Sequence, residues 1–300
     1  MREELFKNCT LCPRKCNVNR LEGKRGYCGM DSTIRAARAA LHMWEEPCIS
    51  GKKGSGAVFF SGCGLRCCFC QNRDIAIGDS GKEISVERLA EIFLELQEKG
   101  AANLNLVTGA HYVPHIILAL ELARGKGMNL PVVYNSSGYE SVESIRRLDG
   151  YVDVYLPDMK YMEPELAAAF SNARDYPQAA QSAIAEMMRQ TGPCQFAEDG
   201  YIKRGTIVRH LILPGHTKNS IAVLKYLYRT YGEDIFISVM NQYTPVWKNE
   251  KFPELNRKVT RREYEKVLDA AIELGIENGY FQEGETAEES FIPAFDYEGV

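Results

Sequence analysis

The spacing of three cysteines constrains this chain more than any other feature of its sequence. Cys63, Cys67 and Cys70 form a Cys-x3-Cys-x2-Cys motif directly after a short apolar run at residues 57–60. Three thiolates on one tight loop can hold three irons of a cubane iron–sulfur cluster, whereas an ordinary electron-transfer cluster takes four cysteines. A structural zinc ion is the alternative, but a tetrahedral zinc site needs a fourth close ligand. The motif therefore predicts a cluster with one iron open to another ligand.

Composition indicates a globular protein. The chain has 300 residues, 45% of them hydrophobic and 25% charged, with a net charge of −4. These values exclude a disordered, collagen-like or nucleic-acid-coating chain. No apolar stretch reaches the roughly 18 residues of a membrane helix, and the first residues lack the apolar core of a signal peptide. We therefore expect a cytoplasmic protein with no membrane partner, in which ten cysteines favour metal binding over disulfides.

A second cysteine set lies in the first 53 residues. Its members are Cys9, Cys12, Cys16 and Cys28. Four thiolates leave no open position, so either a structural zinc ion or an auxiliary iron–sulfur cluster fits. Residues 1–53 show little hydrophobic periodicity, and a bound metal would allow so small a segment to fold. We predict an N-terminal module at residues 1–53, followed by a flexible linker around residues 50–56.

The rest of the chain alternates strand and helix patterns. Strands are predicted at residues 57–63, 103–109, 132–137, 152–156, 207–213 and 235–240. Helices are predicted at residues 85–99, 113–126, 141–148, 218–231 and 261–274, with an inserted helix pair at 163–191. Six β/α units in sequence predict an α/β fold with a parallel sheet and right-handed crossovers. We assign this domain to residues 54–283 and an acidic tail to residues 284–300, which either frays or docks across the mouth of the sheet.

Polar residues follow several predicted strands, at the edge where parallel α/β folds carry their functional groups. The candidates are Thr108, Gly109, Asn135, Ser136, Ser137, Asp158, Lys160, His210 and Gln242. Asp158 and Lys160 lie two residues apart and therefore project to the same side of an extended segment, although a simple rim salt bridge is the alternative role. The same alternation means that only one of Arg209 and His210 points inward, and we take His210 as the cofactor contact.

Together these motifs resemble the radical SAM superfamily, and within it the pyruvate formate-lyase activating enzymes, in a divergent group with an N-terminal cysteine module. The resemblance extends over residues 9–283 and includes the segments 151–158, 209–215 and 240–243. It implies an open, partial (β/α)6 TIM barrel with a [4Fe–4S] cluster on Cys63, Cys67 and Cys70. It also implies that the open iron binds S-adenosylmethionine (SAM), with Phe69 near the adenine.

The resemblance further implies an activity. The cluster would reductively cleave SAM to a 5′-deoxyadenosyl radical, which abstracts hydrogen from a protein or peptide substrate. A glycyl radical enzyme is the first expected substrate, and flavodoxin or ferredoxin is the expected electron donor. Asn135 stands where activating enzymes tend to have an acidic residue, so the substrate stays open. The alternatives are radical modification of another macromolecule such as RNA, against which the negative charge of the body argues, and a non-catalytic iron–sulfur or zinc protein.

Overall fold

The computed structural model describes residues 4–78, 80–282 and 293–300. The strands of these residues are β1 (Ile34–His42), β2 (Ser55–Phe60), β3 (Lys82–Ile84), β4 (Leu104–Val107), β5 (Val132–Ser136), β6 (Val154–Pro157), β7 (Gln195–Phe196), β8 (Ile202–Leu211), β9 (Phe236–Met240) and β10 (Gly279–Phe281). Their α-helices are α1 (Glu4–Lys7), α2 (Pro47–Ser50), α3 (Arg73–Ala76), α4 (Val86–Glu98), α5 (Val113–Gly125), α6 (Val142–Arg147), α7 (Pro164–Ser171), α8 (Tyr176–Thr191), α9 (Thr217–Tyr231) and α10 (Arg261–Leu274).

The centre of the sheet is parallel and follows chain order. β2, β4, β5, β6, β8, β9 and β10 lie side by side in that sequence. The six predicted strands and the predicted α/β class are confirmed, and the helix pair expected at residues 163–191 corresponds to α7 and α8. β10 adds a parallel strand that the sequence analysis missed, because three residues beginning with glycine carry too weak a strand signal.

The first 53 residues also contribute to this sheet. β1 pairs antiparallel with β2 and extends the sheet beyond the first parallel strand. β3, which comes later in the chain, pairs antiparallel with the other edge of β1. The sequence analysis assigned the residues of β1 to the N-terminal module. The domain boundary near residue 53 stays a prediction, but the segment before it includes an integral strand of the sheet.

The two faces of the sheet are covered differently. Alternate residues of β5 face opposite sides: Val132 and Tyr134 pack in the core beneath α4 and α5, whereas Val133 packs on the inner face. There it meets Cys48 and Ile49 of the short helix α2. The chain segment around α2 therefore fills the amino-terminal part of the inner face and leaves its carboxyl-terminal part to polar side chains.

The described part of the acidic tail packs against the sheet. In residues 293–300, the backbone N–H of Tyr297 donates to the carbonyl of Ala37 in β1 at 3.1 Å. The ring of Phe295 lies 5.6 Å from that of Phe59 in β2, centroid to centroid, in an edge-on contact. The earlier tail residues, 284–292, lie outside the described residues.

A close approach between two turns places the ends of β5 and β6. Gly138, in the turn after β5, has φ 76°, and a Cβ atom there would lie 2.1 Å from the carbonyl oxygen of Asp158. An alanine at this position would have to displace backbone as well as adopt a left-handed conformation.

We expect Gly138→Ala to lower the free energy of unfolding by more than about 2 kcal/mol, because strain and backbone displacement add. Gly127→Ala is the matched control, since Gly127 has φ 97° but a Cβ atom added there would meet no other atom within 4 Å. Its cost is limited to the left-handed conformation, about 1 kcal/mol. Denaturant unfolding measures both, and equal losses would show that the approach to Asp158 is not a constraint.

Candidate functional site

The cysteine motif forms a tight loop after β2. This cluster loop, residues 63–70, follows the carboxyl end of the strand. The backbone N–H of Cys70 donates to the carbonyl of Cys67 at 3.1 Å, and that of Cys68 donates to the carbonyl of Phe170 in α7 at 2.7 Å. The loop is therefore fixed both internally and against the following helix pair.

The sulfurs of the loop have polar surroundings suited to metal-bound thiolates. Cys67 Sγ accepts a hydrogen bond from Ser171 Oγ at 3.1 Å, and Cys63 Sγ accepts one from the backbone N–H of Leu65 at 3.4 Å. Burial raises the pKa of Cys67 to about 11, although the nearby Lys160 ammonium opposes the shift. A bound metal removes such a proton outright. Three half-buried cysteines on one loop thus fit the three-thiolate ligand set of a [4Fe–4S] cluster.

Asp158 lies at the end of β6 between two cations whose side chains are each 15% exposed. Lys160 Nζ donates to Asp158 Oδ2 at 2.5 Å, and Arg209 Nε donates to Asp158 Oδ1 at 3.1 Å. Burial favours the neutral carboxylic acid, but Lys160 and Arg209 outweigh it and lower the pKa of Asp158. Burial also favours neutral Lys160, but Asp158 and Cys67 raise the pKa of that amine. The three groups therefore stay charged beside the cluster loop.

Arg209 extends this network to the N-terminal segment. Its Nη1 donates to Glu45 Oε2 at 3.1 Å and its Nη2 donates to Asn135 Oδ1 at 2.6 Å. The amide groups of Asn135 and Asn105 each donate to Glu45 Oε1 at 3.1 Å. Glu45 lies between β1 and α2, and its side chain is only 8% exposed. Neither Glu45 nor Asn105 is predictable from the sequence, because no motif or spacing connects them to the strand ends.

Three of the predicted contacts, Asn135, Asp158 and Lys160, come together in this network. His210 lies elsewhere, because it follows Arg209 in β8 and its side chain points to the opposite, helix-covered face. It is buried and hydrogen-bonds the carbonyl of Met159 through Nδ1 at 2.7 Å. The expectation that His210 is the inward residue is therefore corrected: Arg209 occupies the inward position.

The other strand-end candidates have local partners. Ser136 Oγ donates to Glu140 Oε1 at 2.7 Å, on the face opposite Asn135. Ser137 Oγ accepts from the backbone N–H of Tyr139 at 3.4 Å. Their roles as cofactor contacts stay predictions.

Thr108, Gly109, Phe69 and Gln242 lie on loops at the same edge of the sheet. Thr108 has φ 62°, and its backbone N–H donates to the carbonyl of Asn135 at 2.9 Å, which holds the turn before Gly109 in place. The ring of Phe69 packs against Tyr243. The carbonyl of Gln242 accepts from the side chain of the cluster-loop neighbour Gln71 at 3.2 Å. Their contacts with SAM also stay predictions.

The four N-terminal cysteines lie in one region. A Cβ atom on Gly26 would be 3.3 Å from Cys16 Sγ and 3.9 Å from Cys28 Sγ, so the turn there returns Cys28 to the neighbourhood of Cys16. Cys16 Sγ also accepts from the backbone N–H of Tyr27 at 3.2 Å. Within the described residues, no three His, Cys, Asp or Glu side chains are grouped so as to hold a metal ion.

Sequence comparison identifies the class of protein. The profile of the Radical SAM superfamily matches residues 57–227, more than half of the chain and the part that carries the cluster loop and five of the parallel strands. The chain belongs to this superfamily, whose members use a [4Fe–4S] cluster and SAM for radical chemistry.

Two curated relatives are also similar in sequence. An uncharacterized protein of Methanocaldococcus jannaschii is 30% identical over 276 residues, which cover 90% of this chain and 75% of the relative. The pyruvate formate-lyase-activating enzyme of Clostridium pasteurianum is 27% identical over 113 residues, which cover 36% of this chain and 46% of that enzyme.

Solved structures align with part of the chain at low identity. The [FeFe]-hydrogenase maturase HydG aligns with a TM-score of 0.49 and 15% identity over 76% of this chain and 52% of its own. SuiB of Streptococcus suis bound to SAM aligns with a TM-score of 0.47 and 14% identity over 74% of this chain and 48% of its own. The chain thus spans about half the length of each. Among the described residues, no helix combines the length and apolar character needed to cross a membrane.

We expect Arg209→Met to lower the free energy of unfolding by about 3–5 kcal/mol. The substitution removes the cation that neutralises the carboxylates of Glu45 and Asp158 in the interior. Arg88→Met is the matched control, since Arg88 also contacts two acids, Glu91 and Glu95, but at the surface. Exposed ion pairs contribute little, so this variant should unfold like the wild type. Denaturant unfolding of the two variants distinguishes the loss of an interior cation from the loss of any arginine charge. Similar unfolding midpoints would show that Arg209 contributes no more to stability than a surface arginine.

Proposed function

We propose that this protein is a radical SAM enzyme that abstracts hydrogen from a protein or peptide, with a glycyl radical enzyme as the first substrate. The observation that carries the proposal is the Lys160–Asp158 ion pair, whose ammonium charge acts on Cys67, within a chain of the superfamily. A protein substrate is supported by the partial similarity to an enzyme named for activating pyruvate formate-lyase.

The residues of the chain have distinct proposed roles. Cys63, Cys67 and Cys70 hold the cluster, which when bound supplies the electron that cleaves SAM. Lys160 has three N–H donors, of which Asp158 accepts one. A remaining donor is available to the carboxylate of SAM, and charge-assisted hydrogen bonds of this kind are among the stronger ones. Asp158 orients the ammonium, and Arg209 in turn fixes Asp158 from the opposite side.

We also propose that Cys9, Cys12, Cys16 and Cys28 bind a second metal centre, either zinc or iron–sulfur. The electron donor is proposed to be a low-potential protein such as flavodoxin or ferredoxin. Phe69, Thr108, Gly109 and Gln242 are proposed as further SAM contacts, because they lie on loops at the same edge of the sheet as Lys160.

SAM cleavage tests the radical chemistry. We expect wild-type protein, reconstituted without oxygen and reduced with dithionite, to form 5′-deoxyadenosine from SAM. Cys67→Ala should reduce product to background, because two thiolates hold a cluster poorly. Cys68→Ala is a closely matched control: it removes the neighbouring thiol, which lies outside the motif, and should retain activity. Product from Cys67→Ala at the wild-type rate would refute the ligand assignment.

A labelled substrate tests the hydrogen donor. Pyruvate formate-lyase carrying deuterated glycine should transfer deuterium to 5′-deoxyadenosine and acquire the electron paramagnetic resonance (EPR) doublet of a glycyl radical. The same substrate with its radical-site glycine replaced by alanine is the control. If SAM is cleaved but no deuterium is transferred and no doublet appears, pyruvate formate-lyase is not the substrate, and the proposed class must be tested with other glycyl radical enzymes.

A further inference from the structure

The N-terminal cysteine set (Cys9, Cys12, Cys16 and Cys28) adjoins the cluster loop. A Cβ atom built on Gly64 would lie 3.5 Å from Cys12 Sγ, and Gly64 directly follows the cluster ligand Cys63. Standard bond lengths and the spacing of neighbouring Cα atoms then limit the distance between the sulfurs of Cys12 and Cys63 to at most about 12 Å. Two metal centres on these ligands would be neighbours.

Arg14 connects the N-terminal set to the cluster loop through hydrogen bonds. It stands between Cys12 and Cys16 in the sequence, yet its Nε donates to the carbonyl of Gly64 at 2.8 Å and its Nη2 to that of Ser171 at 3.0 Å. Ser171 is the residue whose hydroxyl donates to Cys67 Sγ. A side chain between two cysteines of the N-terminal set therefore hydrogen-bonds both the cluster loop and the residue that contacts a cluster ligand.

A buried cation indicates that the N-terminal set carries negative charge. Arg20 is fully buried, and its guanidinium donates to the backbone carbonyls of Asp31 and His111. Among the described residues, no carboxylate lies within ion-pair distance of it, while Cys9 Sγ lies 3.9 Å from Nη1. Burying an unpaired charge is costly, and four metal-bound thiolates would supply the missing anion. The buried charge of Arg20 thus favours an anionic thiolate set here, although the described sulfurs are not already grouped as metal ligands.

The outer side of the set faces solvent and is basic. Cys16 is half-buried, and the residues Lys15, Lys24 and Arg25 near it are exposed. Glu22 pairs with Lys24 at 3.3 Å, and Asp31, which also pairs with Arg35, lies 3.9 Å from Arg25, so these acids offset part of the charge. Such a rim attracts an acidic protein partner.

We propose that the N-terminal set binds a [4Fe–4S] cluster that relays electrons from an acidic donor protein to the cluster loop. The inference rests on the proposed radical SAM function and assigns the metal and its role. The donor, a reduced one-electron carrier of the flavodoxin or ferredoxin class, is oxidised by one electron. The N-terminal cluster accepts that electron and passes it on, so that the catalytic cluster is reduced by one electron and the relay returns to its starting state. A zinc ion has no accessible second oxidation state and would therefore have only a structural role.

The first test removes the catalytic ligands. A Cys63→Ala, Cys67→Ala and Cys70→Ala triple variant, reconstituted without oxygen, should bind about four irons and four sulfides per chain at the remaining four-cysteine site. On reduction it should give the EPR signal of a single cluster. One zinc and no iron would overturn the proposal. This result is independent of SAM cleavage, so it is distinguishable from a failure of the proposed function.

The second test compares two reductants. For Cys16→Ser, the ratio of the SAM cleavage rate with reduced flavodoxin to the rate with dithionite should fall severalfold below that of the wild type. Cys194→Ser, which changes a half-buried cysteine outside both sets, should keep the wild-type ratio. A purely structural role would lower both rates and leave the ratio unchanged, which would overturn the relay.

A second route for electrons is testable in the same assay. A cleft of about 400 Å³ beside Cys67 and Cys70 is lined by basic residues that include Lys248 and Lys251. If Lys251→Glu lowers the ratio and Cys16→Ser does not, electrons enter there and the relay is overturned. Should Cys16→Ser fail to fold, the fully reduced wild type decides: two interacting spins per chain support the relay, and one isolated spin refutes it.

Discussion

The guanidinium of Arg209, whose side chain is 15% exposed, is the constraint on which the site depends. A charge in the inner face of a sheet must be neutralised and hydrogen-bonded, and its partners come from three separate parts of the chain: Asn135 in β5, Asp158 after β6 and Glu45 before α2. The hydrogen bonds and ion pairs of Arg209 therefore fix the relative positions of two strand ends and the N-terminal segment. Lys160 gains its orientation through Asp158, and its charge acts on Cys67.

The charges of this interior nearly cancel. Glu46 lies next to Glu45 and is buried; burial raises its pKa, although Arg209 opposes the shift. Burial thus disfavours a charge on Glu46, while two other acids, Glu45 and Asp158, pair with the two bases, Arg209 and Lys160. The arrangement is asymmetric, since the acids surround Arg209 while Lys160 lies toward the cluster loop. Positive potential is thus directed to the position where a thiolate-bound cluster and a carboxylate would require it.

Local sequence signals explain which features were predictable. β5 and β6 are runs of β-branched and aromatic residues, and the cysteine spacing alone identified the cluster loop. Alternation along β8 offered Arg209 or His210 as the inward residue, and the choice depends on the register with the neighbouring strand, where Asp158 is bridged to Arg209. Register is a property of the paired sheet and has no signal within one strand. Glu45 was missed for a similar reason: it lies 90 residues from Asn135 along the chain, and only the folded sheet brings them together.

The N-terminal segment is better understood as part of the barrel than as an appendage. It supplies β1 to the sheet, Glu45 to the polar network and Ile49 to the amino-terminal end of the inner core. Its cysteine set meets the opposite, carboxyl-terminal edge through Arg14. A segment that contacts both ends of the sheet cannot detach without exposing apolar residues and unpairing a buried charge. We therefore expect the segment and the radical SAM domain to unfold together, and a metal bound by its cysteines would stabilise both.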